Sequence, residues 1–362
     1  MLERNVRVLI CDDSAVARQF IARACESVPG IEVCGRAGDG QEAVRMVHLL
    51  HPDVVTMDVE MPSVDGIEAV RRIMHEAPTP ILMVSSLTYE GSRVTLAALD
   101  AGALDFVQKP QSPEEAAHLA GRVAEKILQL GERGRLALGI ARPAPAPARP
   151  PAASLSQPAP VESVRTPRSG AVPLVVIGAS TGGPRALFAV VPHLPKAFPF
   201  PVVIVQHMPP GFTRSLAERL DQQGPLPARE AEEGEEISGG AVRVAPAGKH
   251  LVVAGLRLAL SDAPAEHGVR PAVDVTLRSA AESYPGPVVA AILTGMGRDG
   301  AEGARRVHEA GGRVIAESER TALIYGMPKS VVEMGVADRI SDLGDVADEI
   351  VRLTGEVAGV GG

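Results

Sequence analysis

The stretch PLVVIGASTGGPRALFAVV, residues 173–191, decides how the second half of the chain folds. Its first residues are aliphatic and β-branched, which is typical of a buried strand, and they lead into the glycine-rich segment GASTGG at 178–183. The residues after Pro184 are spaced like a helix. A strand, a tight turn and a helix in this order predict a parallel α/β unit with Ser180 in the turn.

The same alternation continues towards the end of the chain. Apolar runs at 201–206 and 287–295 are each followed by a helical pattern, and GGRVIAE at 311–317 precedes two short helical stretches. Two shorter β-like pieces, AVRVAP and HLVVAG, predict an antiparallel hairpin inserted around residues 241–260. We therefore predict a second domain over residues 171–356, built on a parallel sheet with a small β-hairpin insertion.

The first part of the chain repeats the strand-then-helix pattern five times. The strand-like runs are VRVLIC, IEVCGRA, DVVTMD, PILMVS and ALDFVQ, and the last helical stretch runs from Pro113 to Leu130. A (βα)5 order with right-handed crossovers predicts a doubly wound domain over residues 1–130. Between 141 and 170 the sequence contains eight prolines, so residues 131–170 are expected to form an extended, semi-rigid linker.

Composition narrows the class of function. The chain has 362 residues, a net charge of -8, 2% aromatic residues and no tryptophan, which argues against a nucleic-acid-binding surface. The apolar run at the N-terminus is too short for a signal peptide or a membrane span, so we expect no membrane insertion. Three cysteines without a CxxC pair predict reduced thiols and a cytoplasmic protein.

Several polar residues follow predicted strands of the first domain, where open α/β sheets bind ligands. Asp12 and Asp13 end the first strand, and Asp58 ends the third. Carboxylates this close repel each other unless a divalent cation lies among them, and oxygen ligands suit Mg²⁺. Asp58 could then attack a phosphoryl group, with Lys109 neutralising its charge and Ser85 donating a hydrogen bond to it. Taken singly, Asp12 could equally be a strand end or a helix cap.

This first domain resembles the receiver domain of two-component response regulators. The resemblance rests on CDDS (11–14), MDVEMPSVDGIE (57–68), SS (85–86) and DFVQKP (105–110). It implies phosphorylation of Asp58 by a histidine kinase and a switch that involves Ser85, Phe106 and Lys109. It also implies Mg²⁺ ligation by Asp12, Asp13, Asp58 and the backbone carbonyl of Glu60.

The segment GASTGG has three possible roles. A dinucleotide-binding loop needs a second glycine where Ser180 stands, and a Walker A loop needs a Gly-Lys-Ser/Thr that is absent here. The segment does match G-x-S-x-G, in which a sharp turn exposes a nucleophilic serine and a helix N-terminus offers amides to an oxyanion. Without partners, however, Ser180 could simply cap the helix.

A nucleophilic serine needs a base and a group that orients the base. His207 ends the strand after the Ser180 turn and is the natural base, with His250 as its rival. Asp299 lies in a glycine-rich turn after the strand VVAAIL and can orient the imidazole. Asp274 is an alternative, although the helical pattern that follows it favours a capping role. The order Ser, His, Asp differs from that of the α/β-hydrolases.

The second domain resembles the chemotaxis protein-glutamate methylesterase (CheB) family. The motifs are GASTGG, VIVQHMPPGFTRSLAERL (203–220), LTGMGRDG (293–300) and YGMP (325–328). The resemblance implies Ser180 as nucleophile, His207 as general base and acid, and Asp299 as its orienting partner. It also implies that backbone amides near Thr181 and Met296 hold the oxyanion.

The family resemblance implies a phosphorylation-activated serine hydrolase. Its substrates would be glutamyl methyl esters on chemoreceptors, with release of methanol and no cofactor at the esterase site, and deamidation of receptor glutamines would be a further activity. Two alternatives remain open: a methylesterase of a pathway unrelated to motility, or a signalling module without catalysis. The chain departs from the family at AESER (316–320), where Glu317 and Ser318 precede Glu319.

Overall fold

The computed structural model describes residues 5–85, 89–109, 113–138 and 172–359. The first three ranges form one α/β domain, and the last range forms another. Residues 139–171, which include most of the predicted linker, lie outside the described residues. No helix within the described ranges is long and apolar enough to cross a membrane.

The first domain is a parallel sheet with helices on both faces. Its elements are β1 Val6–Cys11, α1 Ala15–Glu26, β2 Ile31–Ala37, α2 Gly40–Leu50, β3 Val54–Asp58, α3 Gly66–Glu76, β4 Ile81–Ser85, α4 Tyr89–Asp100, β5 Asp105–Gln108 and α5 Pro113–Ala137. The sheet order is β2-β1-β3-β4-β5, and every strand pair is parallel. β3 and β4 are buried along their whole length, as helices on both faces require. The predicted doubly wound fold is confirmed.

Helix α5 is longer than the sequence predicts. It continues beyond Leu130 to Ala137, through the first residues of the predicted linker. Two glycines explain its close packing: a side chain at Gly131 would come within 2.4 Å of Val6, and one at Gly134 within 2.8 Å of Pro80. The helix therefore stays against the sheet instead of ending at the predicted boundary.

The second domain is also built on a parallel sheet. Its elements are β6 Leu174–Ala179, α6 Gly183–Val190, β7 Val202–Gln206, α7 Phe212–Gln223, β8 Ala228–Glu230, β9 Val242–Val244, β10 His250–Ala254, β11 Arg257–Ser261, α8 Val273–Ser283, β12 Val288–Ile292, α9 Ala301–Glu309, β13 Arg313–Glu317, α10 Met327–Glu333, β14 Arg339–Ser341 and α11 Val346–Ala358. Seven strands pair in the order β14-β13-β12-β6-β7-β9-β8. All their pairings are parallel. β12, β6 and β7 are thus adjacent, which brings their carboxyl ends together.

The hairpin insertion is confirmed, but its first strand is not the one that the sequence indicated. β10 pairs with β11 in antiparallel register, with His250 opposite Ser261. The earlier piece, AVRVAP, contains β9, which pairs with β7 and β8 in the main sheet. Val242 and Val244 are fully buried there, so burial in the larger sheet takes precedence over a local hairpin.

The two domains pack against each other. Phe106 of β5 stacks on Phe212 at the start of α7, with ring centroids 4.6 Å apart and ring planes 16° from parallel. Asp100 at the end of α4 contacts Arg219 of α7 in an ion pair. The packing of α4 on α7 therefore joins the receiver-like domain to the segment that follows His207.

Candidate active site

The turn after β6 is held by backbone hydrogen bonds. Ser180 N–H donates to the Thr294 carbonyl at 3.0 Å, and Gly183 N–H donates to the Ser180 carbonyl at 2.8 Å. Gly182 lies between them with φ +76°, a conformation that glycine adopts without strain. Gly182, not Ser180, is the N-cap of α6, and no side chain caps that helix. The Ser180 side chain therefore does not cap α6, which was the alternative role for this serine.

His207 and Asp299 are in direct contact. His207 Nε2 lies 2.7 Å from Asp299 Oδ2, and the side chains expose only 10% and 3% of their surface. The register of the sheet explains the meeting, since Ala179 pairs with Gln206 and Gly178 with Ile292. Chain segments that leave these strands at the same edge of the sheet therefore carry Ser180, His207 and Asp299 to one place.

The N-terminus of α8 fixes the Asp299 carboxylate. Val273 N–H donates to Oδ2 at 2.7 Å, and Asp274 N–H donates to Oδ1 at 2.9 Å. Burial acts to raise the pKa of Asp299, but the hydrogen bond and charge of His207 and these two amides outweigh it and lower the pKa. Asp299 is thus held as an anion whose carboxylate is placed to orient the imidazole.

Ser180 and His207 line one cleft between the domains. This interdomain cleft, of about 800 Å³, is lined by Ser180, Thr181, His207–Pro210, His267–Arg270 and Met296–Asp299 from the second domain and by Gln108, Lys109, Leu119, Arg122, Glu125 and Lys126 from the first. The described residues include no hydrogen bond between the Ser180 hydroxyl and the His207 ring. Because Nε2 is bound to Asp299, Nδ1 is the ring nitrogen left for the serine.

Two backbone amides beside Ser180 are free to donate. Neither Thr181 N–H nor Met296 N–H makes a hydrogen bond to any residue in the described ranges. Thr181 is held in place because its carbonyl accepts the Thr294 hydroxyl at 2.9 Å. Thr181 follows β6 and Met296 follows β12, so the two free amides lie on adjacent turns next to Ser180. An oxyanion site needs amide donors placed in this way.

The two rivals named from the sequence have other roles. Both ring nitrogens of His250 are engaged, Nε2 with the Pro264 carbonyl at 3.0 Å and Nδ1 with Ala272 N–H at 3.2 Å. Asp274 Oδ1 accepts Gly303 N–H in the first turn of α9 at 2.6 Å. The sequence favoured Asp274 as the cap of the helix that follows it, but Ala272 is the N-cap of α8 and Asp274 lies inside the first turn of that helix. Its carboxylate instead ties α8 to α9 and contacts His267 Nε2 at 2.8 Å.

Gln206 is a buried residue next to the site that sequence reasoning missed. Its Nε2 donates to the Ser180 carbonyl at 2.8 Å and to the His207 carbonyl at 3.0 Å, which ties the serine turn to the strand that carries the imidazole. A side chain at Gly183 would lie 1.9 Å from Gln206 Oε1, so a glycine is needed there. The only signal in the sequence was a polar residue at the end of an aliphatic strand.

Glu317, in the segment that departs from the family pattern, lies behind the same turn. It is fully buried, and its carboxylate accepts Thr294 N–H at 2.7 Å and the Thr321 hydroxyl at 3.0 Å. Burial is the main cause that raises its pKa to about 7. Glu317 thus holds Thr294, whose carbonyl in turn accepts Ser180 N–H. The carboxyl group that makes this contact titrates near neutral pH.

The predicted phosphorylation site of the first domain is also assembled. Lys109 Nζ lies 2.8 Å from Asp12 Oδ2 and 2.7 Å from Asp58 Oδ2. Burial, and then the charge of Asp12, raise the pKa of Asp58 against the opposing effect of Lys109. Lys109 of this site also lines the interdomain cleft that Ser180 lines.

The residues fit a magnesium ion. Asp12, Asp13 and Asp58 each offer a carboxylate oxygen, and these oxygens lie within 4.8 Å of one another. Asp12 Oδ2 is buried and has no hydrogen-bond partner apart from its ion contact with Lys109. Hard oxygen donors with excess negative charge are the ligands that Mg²⁺ prefers.

The remaining predicted residues of the first domain are near this site. Ser85 is buried at the end of β4, and its carbonyl accepts Lys109 N–H at 2.7 Å. Glu60 lines an open pocket together with Asp13 of the carboxylate cluster. Phe106 is 6% exposed and faces the second domain through its stack on Phe212.

Comparison with known proteins assigns both domains. The family model for the CheB methylesterase matches residues 175–350, and the model for the response regulator receiver domain matches residues 8–120. A protein-glutamate methylesterase/protein-glutamine glutaminase of Thermotoga maritima is 44% identical over 98% of this chain and 100% of its own length. The protein of the same description from Symbiobacterium thermophilum is 43% identical over 98% of this chain and 99% of its own length. The crystal structure of the T. maritima CheB methylesterase catalytic domain covers 51% of this chain and 100% of that chain, with 48% identity and a TM-score of 0.49.

Proposed function

The chain belongs to the protein-glutamate methylesterase/protein-glutamine glutaminase family, with a receiver domain ahead of its CheB methylesterase domain, and on that premise we propose that Ser180, His207 and Asp299 hydrolyse glutamyl methyl esters on chemoreceptors. One observation carries the proposal. The contact of 2.7 Å between His207 and Asp299 lies at the strand ends beside Ser180, with two free amides on the same turns.

The proposed reaction proceeds through an acyl-enzyme. Ser180 Oγ attacks the ester carbonyl while His207 Nδ1 takes the hydroxyl proton, and the amides of Thr181 and Met296 donate to the oxyanion. When the tetrahedral intermediate collapses, the bond to the methoxy group breaks and His207 returns the proton, so methanol leaves. His207 then takes a proton from water, whose oxygen attacks the glutamyl-serine ester, and glutamate and the free serine are restored.

The same steps convert a glutaminyl side chain to glutamate, with ammonia as the leaving group. Here His207 must protonate an amine, which is a poorer leaving group than methanol. Asp299 supports this step because its carboxylate holds the imidazole in place at 2.7 Å. We therefore propose deamidation as the second activity of this site.

Asp58 is the proposed acceptor of a phosphoryl group from a histidine kinase. Asp12, Asp13, Asp58 and the Glu60 carbonyl would hold Mg²⁺, which neutralises the charge on the phosphoryl oxygens when it is bound. Asp58 supplies the attacking oxygen, Lys109 offers its ammonium to the phosphoryl group, and Ser85 offers its hydroxyl. Phosphorylation must rearrange the ion pair between Lys109 and Asp58, at 2.7 Å.

We propose that the receiver domain restricts access to Ser180 until Asp58 is phosphorylated. The receiver contributes Gln108, Lys109 and part of α5 to the wall of the interdomain cleft, and Phe106 stacks on Phe212 beside it. Phosphorylation would shift the population towards a form with these contacts broken. A cytoplasmic location is supported by the free thiols of Cys11, Cys25 and Cys34.

Labelling with a fluorophosphonate probe tests whether Ser180 is activated. The phosphodonor-treated full chain should gain one adduct, located on the peptide that contains Ser180 by mass spectrometry. The variants Ser180→Ala and His207→Gln should lose it, whereas Ser238→Ala, which changes an exposed serine outside the cleft, should be labelled like the wild type. Labelling of the wild type at another residue, or unchanged labelling of Ser180 in His207→Gln, would refute the assignment.

A further inference from the structure

The interdomain cleft carries an excess of positive charge, although the chain as a whole has a net charge of -8. The cationic residues in its lining are Lys109, Arg122, Lys126, Arg270 and Arg298, and the anionic ones are Glu125 and Asp299. The charge of Asp299 is already directed at His207 and at two backbone amides. A cleft of this kind in an acidic protein attracts an anionic partner.

The charged groups of two of these cations have no partner among the described residues. Lys109 and Lys126 contact buried carboxylates of the receiver domain, and Arg270 donates to two backbone carbonyls. Arg122 and Arg298 are exposed, and within 5–85, 89–109, 113–138 and 172–359 neither guanidinium group makes an ion pair or a hydrogen bond. Their guanidinium groups are therefore available to a ligand in the cleft.

Of these two arginines, Arg298 belongs to the same domain as Ser180 and remains beside it if the receiver domain moves away. It lies in the turn between Met296 and Asp299, and the preceding Gly297 has φ +79°. Hydrogen bonds hold the chain on both sides of Arg298. On one side Asp299 accepts two N–H groups of α8, and on the other Gly295 N–H, three residues before Arg298, donates to the Ile324 carbonyl at 3.0 Å. Arg122 belongs to α5 and would move away with the receiver.

We propose that Arg298 binds a carboxylate on the substrate helix about one turn from the glutamyl ester, so that the enzyme prefers esters flanked by acidic side chains. The inference rests on the proposed function, since it concerns the substrate of the same site. Side chains three or four residues apart on a helix lie about 5–6 Å from each other at their Cβ atoms. A guanidinium beside the oxyanion turn can therefore reach the neighbouring carboxylate while the ester carbonyl faces Ser180.

Steady-state kinetics on methylated receptor membranes test this assignment. With the full chain activated by phosphodonor, Arg298→Ala should raise KM about tenfold, the effect of losing one charge-assisted hydrogen bond, and leave kcat within about twofold. Arg298→Glu should raise KM further, because it places like charges together. Arg23→Ala removes an exposed arginine on α1 outside the cleft and should match the wild type.

A change in the substrate identifies the partner of Arg298. Replacing the acidic residues one turn from the methylated glutamate by alanine should raise KM for the wild type and leave KM of Arg298→Ala unchanged. A small neutral ester should be hydrolysed equally by both enzymes. An unchanged KM in Arg298→Ala, or an equal loss of kcat on the neutral ester, would overturn the inference while leaving the esterase assignment intact. If the wild type releases no methanol from either substrate, the proposed function itself fails.

Discussion

Phe106 of the receiver domain stacks on Phe212 of the esterase domain, with ring centroids 4.6 Å apart. Phe212 is the first residue of α7 and is fully buried, five positions after His207 in the chain. Phe106 lies on the strand that ends next to Lys109. This pair of rings thus connects the proposed phosphorylation site to the helix that follows His207.

Removal of the Phe106 ring should raise the basal activity. A stacked aromatic pair contributes about 1 kcal/mol beyond its burial, so Phe106→Ala should favour the open form and raise methanol release without phosphodonor about fivefold. The rate with phosphodonor should stay at the wild-type level. Phe200→Ala, which disrupts an aromatic pair within the esterase domain, should not raise the basal rate. A basal rate in Phe106→Ala equal to that of the wild type would show that the stack does not restrain the enzyme.

Replacement of Asp58 should uncouple activity from phosphorylation. Asp58→Asn removes the attacking carboxylate oxygen, so methanol release should no longer respond to a phosphodonor, while the basal rate should stay within about twofold. Asp39→Asn is a matched control, since asparagine can replace aspartate as the cap of α2. Chelation of Mg²⁺ should have the same effect on the wild type as Asp58→Asn. A normal response in Asp58→Asn would rule out this residue as the acceptor.

Gln206 should act on turnover through its amide group. Gln206→Leu removes both hydrogen bonds to the carbonyls of Ser180 and His207, and kcat should fall about tenfold or more with little change in KM. Gln206→Glu keeps the shape but donates only when protonated, so its activity relative to the wild type should recover as the pH is lowered. If the activity of Gln206→Glu relative to the wild type does not change with pH, and both variants unfold at a lower temperature than the wild type, the role of Gln206 is structural only.

Glu317 should make stability depend on pH near neutrality. Its folded-state pKa of about 7 lies above the ordinary value of 4.5, so the folded state holds the proton more tightly than the unfolded state. The stability from protonated Glu317 is fully present below about pH 4.5 and is lost as the pH rises through 7, a loss on the order of 3 kcal/mol. Glu317→Gln should therefore unfold at a higher temperature than the wild type at pH 8.

The pH dependence of this difference is the control. The gap in thermal midpoint between Glu317→Gln and the wild type should shrink from pH 8 to pH 5, because other titrating groups are common to both proteins. Differential scanning calorimetry of the full chains measures it. A gap that is constant across this range would show that Glu317 is not protonated in the folded state near pH 7.

Strand ends could be predicted from the sequence because parallel strands alternate regularly with helices. Ser180, His207 and Asp299 all follow aliphatic strands, and the structure brings the three into one cleft. The partner of Phe106 could not be predicted, since the contact with Phe212 depends on how the domains pack and not on either local pattern. Arg298 likewise reads as an ordinary surface arginine until its place in the cleft is known.

Other parts of the site were beyond local patterns for a different reason. Gln206 and Glu317 end aliphatic strands, where a polar residue usually faces solvent, but here each is buried against a neighbouring turn. The first strand of the hairpin was misassigned because Val242–Val244 is too short to reveal which sheet it joins. The extension of α5 depends on two glycines that only the packed sheet explains.

Methanol release from methylated chemoreceptor membranes is the most direct test of the central claim, that the Ser180 hydroxyl is the nucleophile activated by His207 and Asp299. With phosphodonor present, the wild type should release methanol continuously. Ser180→Ala should abolish the release, and Asp299→Asn should lower it by about 10³-fold or more, since the imidazole loses its orienting charge. Both variants should keep the circular dichroism of the folded chain. Near-normal release by folded Ser180→Ala would contradict the account.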